Sequence, residues 1–127
     1  MGSTGMGGAR VLIAEDDLLI AKHLADVIEA SGGTPLGPVA ECADAHVLAQ
    51  AIPVDLALVD LRLKDGDAWA VLTHLAMSHV PVIALSGSDR AALPPQLRKL
   101  PYLQKPFTDA DLIDLALMAM RPNVRLS

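Results

Sequence analysis

The sequence predicts an α/β domain built on a five-stranded parallel sheet with helices on both faces, and two observations carry this. From Arg10 to about Arg121, short branched-aliphatic runs alternate with longer stretches of helical periodicity, the pattern of successive βα units. Apolar residues make up 52% of the 127, yet aromatics are almost absent (Trp69, Tyr102 and Phe107). The core must therefore be Ala, Val, Leu and Ile, as when helices pack on an aliphatic sheet. The length suits one domain and is too short for a second, DNA-binding one.

The elements follow in order. Val11-Leu12-Ile13-Ala14 is the first strand and ends in the triplet Glu15-Asp16-Asp17. Leu18 to Ala30 then carries apolar residues at Leu19, Ile20, Leu24, Val27 and Ile28, spaced for one helical face, and Gly32-Gly33 stop the helix. Pro35 to Val39 is the second strand, which its two prolines suit to a sheet edge. An Ala-rich helix runs from about Cys42 to Ala51 and ends before Pro53. Asp55 to Val59 is a buried strand that delivers Asp60 at its carboxyl end. A loop from Arg62 to Gly66 leads to a helix from about Asp67 to Met77. Pro81 to Leu85 is the fourth strand and delivers Ser86-Gly87-Ser88. Pro94-Pro95 should break any long helix between Asp89 and Leu100, so the fourth helical connection is expected to be short or irregular. Tyr102-Leu103-Gln104 is the fifth strand and ends at Lys105-Pro106. The last helix starts after Thr108, an N-cap with Asp111 three residues on, and reaches Met120.

Right-handed βα units of this number form a flavodoxin-like doubly wound sheet of order 2-1-3-4-5, with ligands beyond the carboxyl ends of the strands. Glu15 and Asp16, Asp60, Ser86 and Lys105 would then gather on one rim. Other features exclude functions. A net charge of -5 with ten scattered cations argues against a nucleic-acid face. One cysteine, Cys42, excludes an internal disulfide and reads as a small half-buried residue at a helix start. No apolar run is long enough to span a membrane, so a soluble cytoplasmic protein is expected. Residues 1–8 read as a flexible, Gly-rich leader or a cloning remnant, 9–122 as the domain and 123–127 as a short tail. His23, His46, His74 and His79 lie on helices or their ends, away from the rim, and read as surface residues.

Three carboxylates at one rim repel one another unless a cation sits among them. Magnesium suits them, since it takes six oxygen ligands including several waters. Taken alone, the acidic triplet reads equally as a charge complement to the first helix's dipole. A lysine and a divalent ion beside a carboxylate are what phosphoryl transfer needs, because its catalysis is mainly positioning and charge neutralisation. Lys105 precedes a proline, a restricted step that aims it with little freedom.

Ile-Ala-Glu-Asp-Asp, Leu-Val-Asp-Leu, Ala-Leu-Ser-Gly and Gln-Lys-Pro-Phe, in this order, resemble the motifs of bacterial response-regulator receiver (CheY-like) domains. The resemblance covers Arg10 to about Arg121. It implies that Asp60 accepts a phosphoryl group from the phosphohistidine of a sensor histidine kinase or a histidine phosphotransfer protein. It further implies that Glu15, Asp16, Asp60 and the backbone carbonyl of Arg62 hold Mg2+, and that Lys105 and Ser86 bind the aspartyl phosphate. Ser86 and Tyr102 take the switch positions. Tyr102 also reads as a core aromatic with its hydroxyl at the surface. The chain would be a signalling switch rather than an enzyme, catalysing only its own phosphorylation and dephosphorylation. Its output would be a contact with a downstream protein, with no direct nucleic-acid or membrane contact, and a homodimer through the helix 4, strand 5 and helix 5 face is compatible with it.

The sequence also departs from the family pattern. Arg62 stands two residues beyond Asp60, where it would screen the phosphoaspartate or lie solvated, and the Met-Pro pair that many receivers carry after the acceptor is missing. Ser86-Gly87 and Pro94-Pro95 are similar to a single-domain type with an atypical helix-4 region. Two other readings remain. One is a degenerate receiver that never accepts phosphate and serves as an interaction module. The other is a hydrolase with an aspartyl-phosphate intermediate, which Arg62 opposes because such enzymes place a second aspartate there.

Overall fold

A computed structural model describes residues 5–121. The chain runs β1 (Arg10–Ala14), α1 (Leu18–Ala30), β2 (Thr34–Val39), α2 (Cys42–Ala51), β3 (Leu56–Asp60), β4 (Arg62–Leu63), β5 (Gly66–Asp67), α3 (Trp69–Met77), β6 (Val82–Ser86), β7 (Tyr102–Gln104) and α4 (Asp109–Met120). Five strands form one parallel sheet in the order β2-β1-β3-β6-β7. This is the flavodoxin-like order read from the sequence, with β2 on an edge.

The two-residue period of the strands sorts their side chains into two cores. Leu12, Ala14, Ala57, Val59, Val82 and Ala84 pack beneath Ala45 of α2 and Val71, Leu72 and Leu75 of α3. Val11, Ile13, Leu56, Leu58, Ile83 and Leu85 pack beneath Leu24, Val27 and Ile28 of α1 and Leu112 and Ala116 of α4. Strands covered on both faces explain why β3 is buried throughout. Against expectation, Leu19 is 83% exposed, because α1 turns Ala21, Leu24, Val27 and Ile28 to the core instead.

In β2, Leu36 pairs with Leu12 but Val39 with Ala14, so one extra residue is accommodated at Gly37-Pro38. Gly37 sits at φ +92°, and a Cβ there would meet Val39 N at 2.8 Å. Only glycine suits such a bulge.

Three expectations need correction. The segment after Asp60 is not a plain loop: β4 and β5 pair antiparallel about a Lys64-Asp65 turn. That hairpin delays α3, which begins at Trp69 rather than near Asp67. Residues 5–8 are not a free leader either. Met6 is 5% exposed in the α1/α4 core, and Met6 N–H and Gly8 N–H donate to Ser31 O and Gly32 O. Met6 lies against Gly33, where an added Cβ would meet its Sδ at 3.1 Å. Residues 1–4 and the tail 123–127 lie outside the described residues.

The fourth connection is irregular, as the prolines predict. Two 3-10 turns, Arg90–Ala92 and Pro95–Leu97, stand in place of a helix. No helix among the described residues is long and apolar enough to cross a membrane.

Candidate functional site: an acidic rim with a bridging lysine

β1, β3, β6 and β7 are parallel, so their carboxyl ends bring Glu15, Asp60, Ser86 and Lys105 to one rim. Glu15 extends the β1 backbone, its N–H donating to Val39 O at 2.9 Å, and is 1% exposed. Asp60, the last residue of β3, is 8% exposed and pairs with Leu85 across the sheet. Lys105 N–H donates to Ser86 O at 2.8 Å, which ties the end of β7 to that of β6.

The acidic triplet divides its labour. Asp17 caps α1, its Oδ1 accepting from Leu19 N–H and Ile20 N–H, so the capping reading holds for that residue. Glu15 and Asp16 instead join Asp60, and one carboxylate oxygen from each lies within 4.8 Å of the others.

Lys105 Nζ bridges the two buried carboxylates, 2.7 Å from Asp60 Oδ2 and 2.7 Å from Glu15 Oε1. The contact with Asp60 is an aligned hydrogen bond. That with Glu15 Oε1 is an equally close ion pair, so one ammonium serves two carboxylates. Burial raises the Glu15 pKa to about 7; the Lys105 contact and the Asp17 N–H oppose the rise, and the neighbouring Asp60 charge adds to it. Burial alone would lower the Lys105 pKa, but its contacts with Asp60 and Glu15 outweigh that and hold it above its ordinary value.

This donor set fits Mg2+: it is all oxygen, it mixes buried and exposed carboxylates, and three of them offer an oxygen within reach of one ion. The bound ion would supply the positive charge that the single ammonium now spreads over two carboxylates.

Ser86 and Tyr102 project to the α2/α3 face of the sheet, since Ala84, two residues before Ser86, pairs with Tyr102. Ser86 Oγ accepts from Ser88 N–H at 3.0 Å and lines a 230 Å³ cavity with Arg62, Trp69 and Leu93. The Tyr102 hydroxyl is buried, not at the surface, and has no partner among the described residues, and the Arg90 guanidinium stacks 5.3 Å from the ring centroid. Of Arg62, the backbone is engaged, its N–H donating to Asp60 Oδ1 at 3.1 Å, while its side chain is exposed.

Away from the rim, His46 and His74 meet edge to face across α2 and α3 with centroids 5.5 Å apart. His23 Nε2 lies 2.6 Å from Asp109 Oδ1, joining α1 to α4. Sequence reasoning missed Asp65. Its two carboxylate oxygens accept from Cys42 N–H (2.7 Å) and Ala43 N–H (3.2 Å), the first amides of α2. Its only sequence signal is a place before glycine in a turn; a partner 23 residues away is invisible at that level.

Response regulator receiver domain sequences match residues 11–117. The chain belongs to the response-regulator receiver family. The transcriptional regulatory protein PdtaR of Mycobacterium tuberculosis is 31% identical over 108 residues, which cover 82% of this chain and 53% of PdtaR. A protein-glutamate methylesterase/protein-glutamine glutaminase of Anaeromyxobacter dehalogenans is 32% identical over 108 residues, 81% of this receiver but 32% of that protein. The receiver thus spans about half or less of these curated relatives. Among solved structures it is similar to SdrG of Sphingomonas melonis (33% identity, TM-score 0.77, covering 88% of this chain and 95% of SdrG). It is also similar to the PhyR receiver domain of Erythrobacter litoralis (27% identity, TM-score 0.80, covering 96% and 98%).

Proposed function

We propose that this receiver is a phosphoacceptor switch in which Asp60 takes a phosphoryl group from a phosphohistidine, with Mg2+ held by Glu15, Asp16, Asp60 and the Arg62 carbonyl. The observation that carries the reading is the Lys105 ammonium, 2.7 Å from the acceptor carboxylate and 2.7 Å from Glu15. An Asp60 oxygen attacks phosphorus, the O–P bond forms, and the N–P bond breaks with its electron pair returning to the imidazole. Bound Mg2+ would neutralise charge on the moving phosphoryl oxygens. Lys105 pairs with one of those oxygens, and the Arg62 N–H orients the attacking carboxylate through Oδ1. Ser86 Oγ, which accepts from Ser88, keeps its own proton free to donate to a phosphoryl oxygen.

The added charge and acceptor oxygens draw Ser86 toward Asp60 and free space on the face that Tyr102 shares, repacking the surface around the fourth connection, β7 and α4. A sensor histidine kinase or histidine phosphotransfer protein in the cytoplasm supplies the phosphoryl group, and a downstream protein or a second copy reads the repacked face. No observation favours the degenerate reading, since acceptor, lysine and acidic pair are all in place.

The test is intact mass after incubation with acetyl phosphate. A gain of about 80 Da that requires both Mg2+ and Asp60, and vanishes in Asp60→Asn, is expected. No gain from acetyl phosphate or from a kinase, with the fold intact, would transfer support to the degenerate module.

A further inference from the structure

The β4–β5 hairpin that follows the acceptor is anchored at its far end, away from the rim. Asp65 at its tip accepts from the Cys42 and Ala43 amides through separate oxygens, at 2.7 and 3.2 Å. Lys64 N–H donates to Ala40 O at 3.0 Å, and Cys42 Sγ donates to Asp67 O at 3.3 Å. Helix α2 depends on this contact in turn, because its own N-cap residue, Glu41, makes no capping bond. A helix start leaves amides without intrahelical partners, and here a carboxylate from another element takes two of them. Gly66 beside it holds φ +132°, a conformation that lets the chain turn back immediately after Asp65.

The near end of the same hairpin is the rim. Arg62 donates its N–H to Asp60 Oδ1 and pairs with Asp67. A short two-strand ribbon therefore joins the α2 start to the residue whose carbonyl the proposed metal site uses.

We infer that Asp65 is a positioning residue for the phosphoacceptor site: by clamping the hairpin to the first turn of α2, it fixes the Arg62 backbone against Asp60 and the metal. This rests on the phosphoacceptor reading above. The coupling runs in both directions, so metal or phosphoryl binding at the rim tightens the clamp at Cys42. Outer partners of a metal site commonly affect affinity by about 10- to 100-fold, and one acting through backbone should lie near the lower end.

The test measures Mg2+ affinity through Trp69, the single tryptophan, together with the alkylation rate of Cys42, the single cysteine. In Asp65→Ala, Mg2+ binding should weaken about tenfold and phosphorylation by acetyl phosphate should slow at low Mg2+ but recover at saturating Mg2+. Asp65→Asn keeps one acceptor oxygen and should fall between the two. Mg2+ should slow Cys42 alkylation in the wild type and not in Asp65→Ala, which a merely structural loss would not produce. Unchanged Mg2+ affinity in both variants, with wild type still phosphorylated, overturns the positioning role and leaves the phosphoacceptor reading standing. A wild type that binds no Mg2+ and takes no phosphoryl group overturns both. If Asp65→Ala does not fold, Asp65→Asn decides alone: wild-type Mg2+ affinity and alkylation response in it refute the role.

Discussion

Replacing Lys105 by methionine tests the electrostatics of the rim directly. Each of its two contacts is 2.7 Å, and at an effective dielectric of 20 such a contact is worth about 6 kcal/mol before desolvation. Desolvating the ammonium offsets much of this, and breaking a buried pair from one side leaves a net loss of about 3 kcal/mol. The loss should depend on pH. Glu15 titrates near 7 rather than at 4.5, so a protonated Glu15 favours the folded, metal-free protein. That contribution is complete below pH 4.5 and disappears as pH rises through 7. Without the lysine, the Glu15 pKa climbs further and the penalty for ionising it beside Asp60 grows. Urea melts without Mg2+ should therefore show Lys105→Met less destabilised near pH 5, where Glu15 is protonated and the lost Asp60 contact accounts for the effect, than near pH 8, and partly rescued there by Glu15→Gln or by Mg2+. Equal destabilisation at both pH values, or none at either, would refute the bridging role.

Three further outcomes are expected. Mg2+ affinity should rise from pH 6 to pH 8 because binding displaces the Glu15 proton, and the rise should be absent in Glu15→Gln; calorimetry in buffers of different ionisation enthalpy reads the released proton. Arg62→Ala should shorten the phosphoryl lifetime if its side chain screens the acyl phosphate from water; a decay rate equal to wild type, followed by intact mass, assigns the side chain to solvent. Met6→Ala should destabilise by about 2 kcal/mol in urea melts, since this side chain is 5% exposed over Gly33; a loss below a few tenths would show that residues 5–8 add nothing to the core.

Much of the architecture was legible because the strands are short apolar runs closed by polar residues that cannot continue them. Asp60, Ser86 and Lys105 each end such a run, and parallel connections send all the ends to one rim. Helix α2 was readable to its last residue because Cys42 and Pro53 bracket an alanine-rich stretch. What was illegible depends on tertiary choice. Leu19 and Ile28 look alike as apolar helix positions, and only the orientation of α1 exposes one and buries the other. Met6 lies among glycines with no periodicity, so its burial follows from the shape of the Gly32-Gly33 turn it covers. Asp65 looks like any turn aspartate until α2 is placed beside it.

The fourth connection shows where a change at this rim would be cheapest to express. Its two 3-10 turns are held by arginine side chains: Arg90 Nη1 donates to Arg98 O at 2.8 Å, and Arg98 donates to Leu93 O and Ala91 O at 2.8 and 3.1 Å. Between Asp89 and Leu100 only Leu93 is fully buried. These exposed and half-exposed bonds are worth far less than the packing of α1 or α3, so the segment opens at lower free energy than the helices. Arg90 also stacks on Tyr102, whose buried hydroxyl has no partner among the described residues, a group that would gain by moving to one. A rearrangement starting at Ser86 therefore meets, on the same face of the sheet, first an unsatisfied hydroxyl and then a weakly held segment. Among the described residues the α1 and α4 face is covered by two regular helices over one core that includes Met6 and Ala116. Under the phosphoacceptor reading, a charge added at Asp60 would act first on the face that carries Ser86, Tyr102 and the two 3-10 turns.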